Sequence, residues 1–177
     1  MHSIPILGLY PNYLNKVLVT AKSNNHIIDT QTVFIQTAVN EVQMPEFIID
    51  VNQVQQMQPG FQMISIVKMP PTAPTMIDAF GKIRWYLDFR LHPDLINLLF
   101  DTGLMQKANN NFLFADRIAS NIYEVEFFGN VINTWPMSPY EFHHSVTEKA
   151  DGNLLATTQK TGTEHLFGGF TNEDKKC

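Results

Sequence analysis

Only one cysteine occurs in the 177 residues, Cys177 at the last position. No disulfide can form within the chain, so cysteine usage says nothing of the redox compartment. A thiol nucleophile is not expected at a terminus, where order is poorest. Basic charge is also scarce. Twelve Lys and Arg against 17 Asp and Glu give a formal charge of −5, without the clustered positive footprint that holds a phosphate backbone, and nucleic acid is not expected as a partner. No apolar run reaches the ~20 residues that span a bilayer. The opening MHSIPILGLYPNY lacks the charged head and long apolar body of a secretory signal. A Gly-rich phosphate loop, a Gly-x-Ser-x-Gly elbow and a Cys/His dyad are missing too. His2, His26, His92 and His165 stand alone, with no metal-site spacing to a third ligand. Neither a metal nor a cofactor is expected.

What the chain does contain is material for strands and turns. Thirteen Phe, five Tyr, two Trp and ten Pro, with few Ala-Leu-Glu-Lys stretches, predict an all-β fold. Residues 15–20 read as a short strand after a turn at Tyr10-Pro11-Asn12-Tyr13. Asn24-Asn25 signals a second turn, and residues 30–38 alternate as its returning strand. The Gln-rich stretch 53–62, closed by Pro59-Gly60, and then Pro70-Pro71 and Pro74 mark a boundary zone over about residues 58–75.

Beyond that zone the chain echoes itself. Ile77-Asp78-Ala79-Phe80-Gly81-Lys82-Ile83 returns as Val125-Glu126-Phe127-Phe128-Gly129-Asn130-Val131, 48 residues on. Asn111-Phe112-Leu113-Phe114 returns as Asn153-Leu154-Leu155-Ala156, 42 residues on. Both periods match the roughly 40–50 residues of a four-stranded propeller blade. An acid followed by Phe-Gly suits a hairpin turn, with Gly supplying the positive φ. A β-meander that reuses the same turn chemistry is the plainer alternative. One helix is predicted, over residues 92–100, from an early Pro93, Asp94 in the first turn and a stop near Gly103.

These residues carry a family likeness. IPILGLYPNYLNKVLVT (residues 4–20) resembles the close of the N-terminal β-sandwich of bacterial aryl-sulfate sulfotransferases. IDAFGKIRWYLD (77–88) is similar to that family's first propeller strand pair, and NIYEVEFFGNVINTW (121–135) to its next hairpin. FHHSVTEKADGNLLATTQK (142–160) resembles a segment with a His-His pair and a Gly-Asn turn, although Ser145 stands where the family commonly has an acid. The resemblance implies a sandwich remnant over residues 1–60 and the first one to two blades of a propeller over 61–177. It also implies that both ends are cut, since residues 170–175 look like the run-up to a further strand. The expected molecule is a fragment, inactive alone, of a protein exported to the periplasm.

The activity the resemblance implies is transfer of a sulfuryl group between phenols through a sulfated histidine, without a nucleotide sulfate donor. Its partners would be small-molecule phenols and aryl sulfates, with a homo-oligomer open. Imidazole is a competent nucleophile near neutral pH, and His and Arg donors can stabilise the oxygens of the transferring group. His144 and His143 are the matching catalytic candidates, as donors to a sulfate or phenolic oxygen, and the nucleophile itself is expected in a later blade. Strand alternation would aim one of the pair into a channel and the other away. Arg84 is the candidate anion contact, and Tyr140 and Tyr10 are candidates for a phenol pocket. For each a plainer role stands beside the functional one: a satisfied turn histidine, a stacked or solvated arginine, packing aromatics. A non-catalytic propeller module for binding or adhesion would share the blade pattern without needing the histidines. So would a truncated reading frame with no function of its own.

Overall fold

The computed structural model describes residues 3–66, 73–98 and 103–160, and the fold is all-β. His2, His165, Cys177 and residues 170–175 lie outside the described residues. The chain divides into two compact units, Met1–Ile64 with Thr75–Tyr86, and Ser65–Pro74 with Leu87–Cys177.

In the first unit, β1 (Leu14–Ser23) and β2 (His26–Gln36) form an antiparallel hairpin. Asn24 and Asn25 close it with φ of 47° and 64°, the two positive angles of the tight turn that matches strand twist, and asparagine tolerates them best after glycine. Asn15 is the buried residue of this pair. Its Nδ2 donates to the carbonyls of Tyr10 and Tyr13 at 2.9 and 3.0 Å, and its Oδ1 accepts from the Tyr10 N–H at 2.9 Å. The turn predicted at residues 10–13 is thereby pinned to the strand that follows it. A short 3₁₀ turn, Val54–Gln56, sits in the Gln-rich stretch. Then β3 (Gln62–Ser65), β4 (Pro74–Ile77) and β5 (Ile83–Tyr86) form a sheet in the order β3-β4-β5.

The second unit holds a four-stranded sheet of β6 (Met105–Gln106), β7 (Phe112–Asp116), β8 (Asn121–Val125) and β9 (Val131–Pro136), in chain order and antiparallel throughout. It is followed by the antiparallel pair β10 (Tyr140–Glu148) and β11 (Leu154–Lys160). Every residue of β7 is buried, and so are Ile122 to Val125 on β8 in an unbroken run, because these central strands of the sheet are covered on both faces. On one face Phe112, Phe114, Tyr123 and Val125 align, with the Phe89 ring 5.6 Å from that of Phe114. On the other, Leu113, Ala115 and Ile122 pack with Phe142 and Val146 of β10 and with Trp135. The strand pair β10–β11 is therefore the cover of one face of the four-stranded sheet.

The helix predicted over residues 92–100 does not form among the described residues; 93–97 are successive turns. A single i→i−4 bond, Ile96 N–H to His92 O at 3.0 Å, is followed by a tighter one from Leu98 to Leu95. Leu95 and Leu98 are fully buried. So short a segment cannot offset the cost of helix nucleation, and burial of its two leucines sets its path instead.

The sequence echoes correspond to one turn used four times. Asp78, Lys107, Glu126 and Lys149 each donate their N–H to the carbonyl four residues on, at 3.0, 2.8, 3.1 and 2.8 Å. The fourth residue of each turn, Gly81, Asn110, Gly129 or Gly152, has φ between 69° and 87°. This is a three-residue loop ending in a left-handed bulge position, and Gly or Asn is what that position needs. The second echo also runs further upstream than the Asn-Phe-Leu-Phe match, since Lys107-Ala108 answers Lys149-Ala150.

Candidate histidine site on a strand bulge

β10 and β11 pair regularly at both ends, Phe142 with Thr158 and Val146 with Ala156. Between those rungs His143, His144 and Ser145 face the single residue Thr157. The surplus leaves the ladder as a bulge whose two ends are fixed, because Phe142 and Val146 are both core residues. His144 has φ of +70°, a left-handed conformation uncommon for any residue with a Cβ, though His reaches it more often than most. His143 is half-buried and His144 exposed. Their ring centroids lie 3.9 Å apart at 71°. The alternation rule, which would separate the two rings, therefore does not apply: the bulge breaks the two-residue period and brings both imidazoles together.

Two residues that sequence reading missed hold the bulge from either side. Thr157 Oγ1 accepts a hydrogen bond from the Ser145 N–H at 3.0 Å and donates to the His143 carbonyl. Gly103, with φ of +56°, lies so close that an added Cβ would sit 2.6 Å from the Phe142 ring and 2.8 Å from the His144 carbonyl. Only a glycine fits there. Gly103 reads in the sequence only as a helix stop, and Thr157 as one more strand threonine.

The other candidates are placed as follows. Tyr140 opens β10 with an exposed ring, and its N–H donates to the Met137 carbonyl at 2.9 Å. Arg84 belongs to the first unit. Its Nε and one terminal nitrogen donate to the Gly8 carbonyl at 2.8 and 2.6 Å, and the other terminal nitrogen reaches Asp78 Oδ2 at 3.1 Å. The guanidinium lies 3.9 Å from the centre of the Tyr10 ring, a stacked cation–π arrangement. The Tyr10 hydroxyl donates to the same Asp78 oxygen at 3.1 Å. Burial raises the Tyr10 pKa, and the neighbouring Asp78 raises it further. Burial pushes Asp78 up, but the Lys82 and Phe80 N–H groups, Arg84 and Tyr10 outweigh it and hold that carboxyl below its usual range. Tyr10 also lines a cleft of about 750 Å³ in this unit with Tyr13, Phe47, Phe80 and Lys82.

Near the histidine bulge, a second polar cluster joins the four-stranded sheet to β10. Glu124 is buried yet accepts from Asn111, Asn109 and Asn133 at 2.6, 3.1 and 2.9 Å. Lys107 Nζ bridges Glu124 and Glu148 at 3.1 Å each. Burial raises the Glu124 pKa, but these donors prevail and bring it down to about 2. For Lys107, burial lowers the pKa and the two glutamates more than restore it. No group of three or more His, Cys, Asp or Glu among the described residues is arranged to hold a metal ion. Nor do the described residues include a helix long and apolar enough to cross a membrane.

Comparison with known proteins returned no match among curated sequences. Two family models do match. That of the arylsulfotransferase (ASST) family covers residues 47–175, and that of the arylsulfotransferase Ig-like domain covers residues 1–38. The first spans most of the chain and includes the histidine bulge and the repeated turns, and the two follow one another in order: the chain belongs to the arylsulfotransferase family.

Proposed function

We propose that the protein serves sulfuryl transfer between phenols and that the His143–His144 bulge is its element for gripping the sulfate group. The observation that carries this reading is the bulge itself. Two imidazoles meet on a three-against-one irregularity that is anchored by core residues at both ends and includes a left-handed histidine. Bulges that re-aim side chains and sparsely populated backbone conformations both concentrate at functional sites. A ring N–H of His144, and next to it one of His143, donates to a sulfate oxygen or to the phenolic oxygen, where negative charge builds as the sulfur–oxygen bond breaks. In the transfer, the donor's S–O bond breaks with release of a phenolate while a histidine nitrogen bonds to sulfur. The acceptor's hydroxyl oxygen then displaces that histidine and its proton is lost to a base. The pair is assigned the donor role and not that of the sulfated nucleophile.

The architecture proposed around this site is a sandwich remnant over residues 1–60 and propeller blades over 61–177. The four-stranded sheet in chain order, its central strands buried on both faces, supports it, as does one turn recurring at offsets of 48 and 42 residues. Tyr140 offers an exposed ring for stacking the aryl group. Arg84 is given a different part, closing the Asp78 turn onto Gly8, since its guanidinium is taken up there.

Titration of the chain with 4-nitrophenyl sulfate, followed through the imidazole proton and carbon signals, tests the reading. Shifts are expected at His143 and His144 but not at His26 or His92, with competition by inorganic sulfate. His144→Ala should weaken binding about tenfold, the loss of one charge-assisted hydrogen bond. Silence of both rings at millimolar ligand would refute the assignment.

A further inference from the structure

We propose that Thr157 is a positioning residue: its hydroxyl sets the conformation of the histidine bulge and so decides where the two imidazoles point. This rests on the sulfate-binding reading for its consequence but not for its geometry. A bulge of three residues against one cannot be closed by backbone bonds alone, because Thr157 has one N–H and one carbonyl with which to meet three residues. Its side chain supplies the missing partners. Oγ1 accepts from the Ser145 N–H at 3.0 Å and donates to the His143 carbonyl, and the Ser145 carbonyl, at 3.4 Å, is its alternative acceptor. These bonds grip the residues on both sides of His144 while leaving its own ring outward. The left-handed backbone of His144, which has a cost for a residue with a Cβ, is what such a two-sided grip would hold in place. Gly103 closes the opposite side by contact with the His144 carbonyl and the Ser145 Cα. The hydroxyl thus holds the bulge by hydrogen bonds to backbone atoms, where Gly103 holds it by contact.

Thr157→Val keeps the branched shape and the strand preference while deleting both hydrogen bonds. Thr157→Ser keeps the hydroxyl and deletes the methyl. The first readout is geometric: nuclear Overhauser contacts between the His143 and His144 rings, together with the His144 amide–Hα coupling that reports φ. The ring contact and the left-handed coupling should persist in the wild type and in Thr157→Ser, and both should be lost in Thr157→Val. Signals of β7 and β8 serve to show that Thr157→Val is folded. The second readout is 4-nitrophenyl sulfate affinity, expected to fall about tenfold in Thr157→Val and to be kept within about twofold in Thr157→Ser. Retention of the ring contact and coupling in Thr157→Val overturns the proposal, whatever the ligand does. So does their loss in Thr157→Ser, since the hydroxyl would then not be the determinant, and this arm decides even if Thr157→Val does not fold. A wild type that binds no aryl sulfate sinks the sulfate-binding assignment instead and leaves the geometric readouts to judge Thr157.

Discussion

The β4–β5 and β8–β9 hairpins share one turn, down to the two hydrogen bonds and the glycine at its fourth position, yet they are secured in different ways. In the first, the acid that opens the turn does the securing: Asp78 collects the Phe80 and Lys82 N–H groups, Arg84 and the Tyr10 hydroxyl. In the second, the acid at the same place, Glu126, bonds among the described residues to its neighbour Asn130, two places beyond the Phe-Phe pair. The long-range anchor has moved two residues back to Glu124. The first hairpin has Met76 at that position. Because the turn is made by backbone and glycine, the charge is free to be used wherever packing presents donors. Repeats of this kind preserve conformation more strictly than they preserve the electrostatics built on it.

The largest test of that distinction is removal of the buried anchor. Glu124→Ala strips three asparagines of their shared acceptor and leaves the buried Lys107 with Glu148 as its remaining carboxylate, which should cost about 3 kcal/mol, the lower end of what breaking a buried ion pair costs. Chemical denaturation should show the loss in the second unit. Glu126→Ala, which touches the superficial acid of the same hairpin, should cost less than about 1 kcal/mol. Equal effects would mean that the two acids are not doing different jobs.

Acid provides the same test without mutation. Glu124 has its folded pKa depressed from 4.5 to about 2. Its contribution is therefore complete above about pH 4.5 and fades as pH falls toward 2, because below that the unfolded and folded states are protonated alike. The shift corresponds to about 3 kcal/mol. A stability profile between pH 6 and 2 should fall with that slope in the wild type and flatten in Glu124→Gln. Asp78 is depressed as well, so the first unit loses stability in the same direction, and the Asp78→Asn profile separates the two contributions.

The glycines of the two turns come next. An alanine at either place must adopt a left-handed backbone, at about 1–2 kcal/mol. At Gly81 its Cβ would also press on Phe47 and Ile49 at 3.2 and 3.3 Å, whereas at Gly129 it meets Leu87 at an ordinary 3.5 Å. Gly81→Ala should thus cost about 2–3 kcal/mol and Gly129→Ala about 1–2. Thermal unfolding of the two single variants measures the gap.

How much of this was legible beforehand follows the same divide. The all-β class, the Asn24-Asn25 turn and the paired Phe-Gly turns could be read from the chain, because each depends on local backbone preference. The helix expected over residues 92–100 does not form among the described residues 92–98. Its Pro-Asp start is a genuine local signal, but burial of Leu95 and Leu98 in the second unit overrides it. At the candidate site, His143 and His144 stood out as residues while their geometry did not. Whether a strand alternates or bulges depends on how many residues its partner offers, and that is settled only when β10 meets β11. Thr157 and Gly103 were invisible for the same reason: their importance comes entirely from proximity to a bulge that no local pattern announces. Lys107-Ala108 and Lys149-Ala150, which open the β6–β7 and β10–β11 turns, were legible as well, since they extend the Asn-Phe-Leu echo over the whole turn.

The smallest effect sharpens the comparison most, because it isolates conformation from chemistry. Of the four equivalent turn positions three carry glycine, and the fourth carries Asn110 at φ of 69°. If the position asks only for a left-handed backbone, Asn110→Gly should be close to neutral, within about 0.5 kcal/mol, since the relief of strain is offset by the extra freedom glycine has when unfolded. Asn110→Ala, which keeps a Cβ but lacks an amide able to bond locally, should cost about 1 kcal/mol. The flanking Asn109 and Asn111 hold Glu124, so their signals give an internal control: they should be unmoved in Asn110→Gly. A loss of more than about 1 kcal/mol in Asn110→Gly would mean that the asparagine side chain, and not the backbone angle, is what this turn requires. The equivalence of the four turns would then be one of sequence alone.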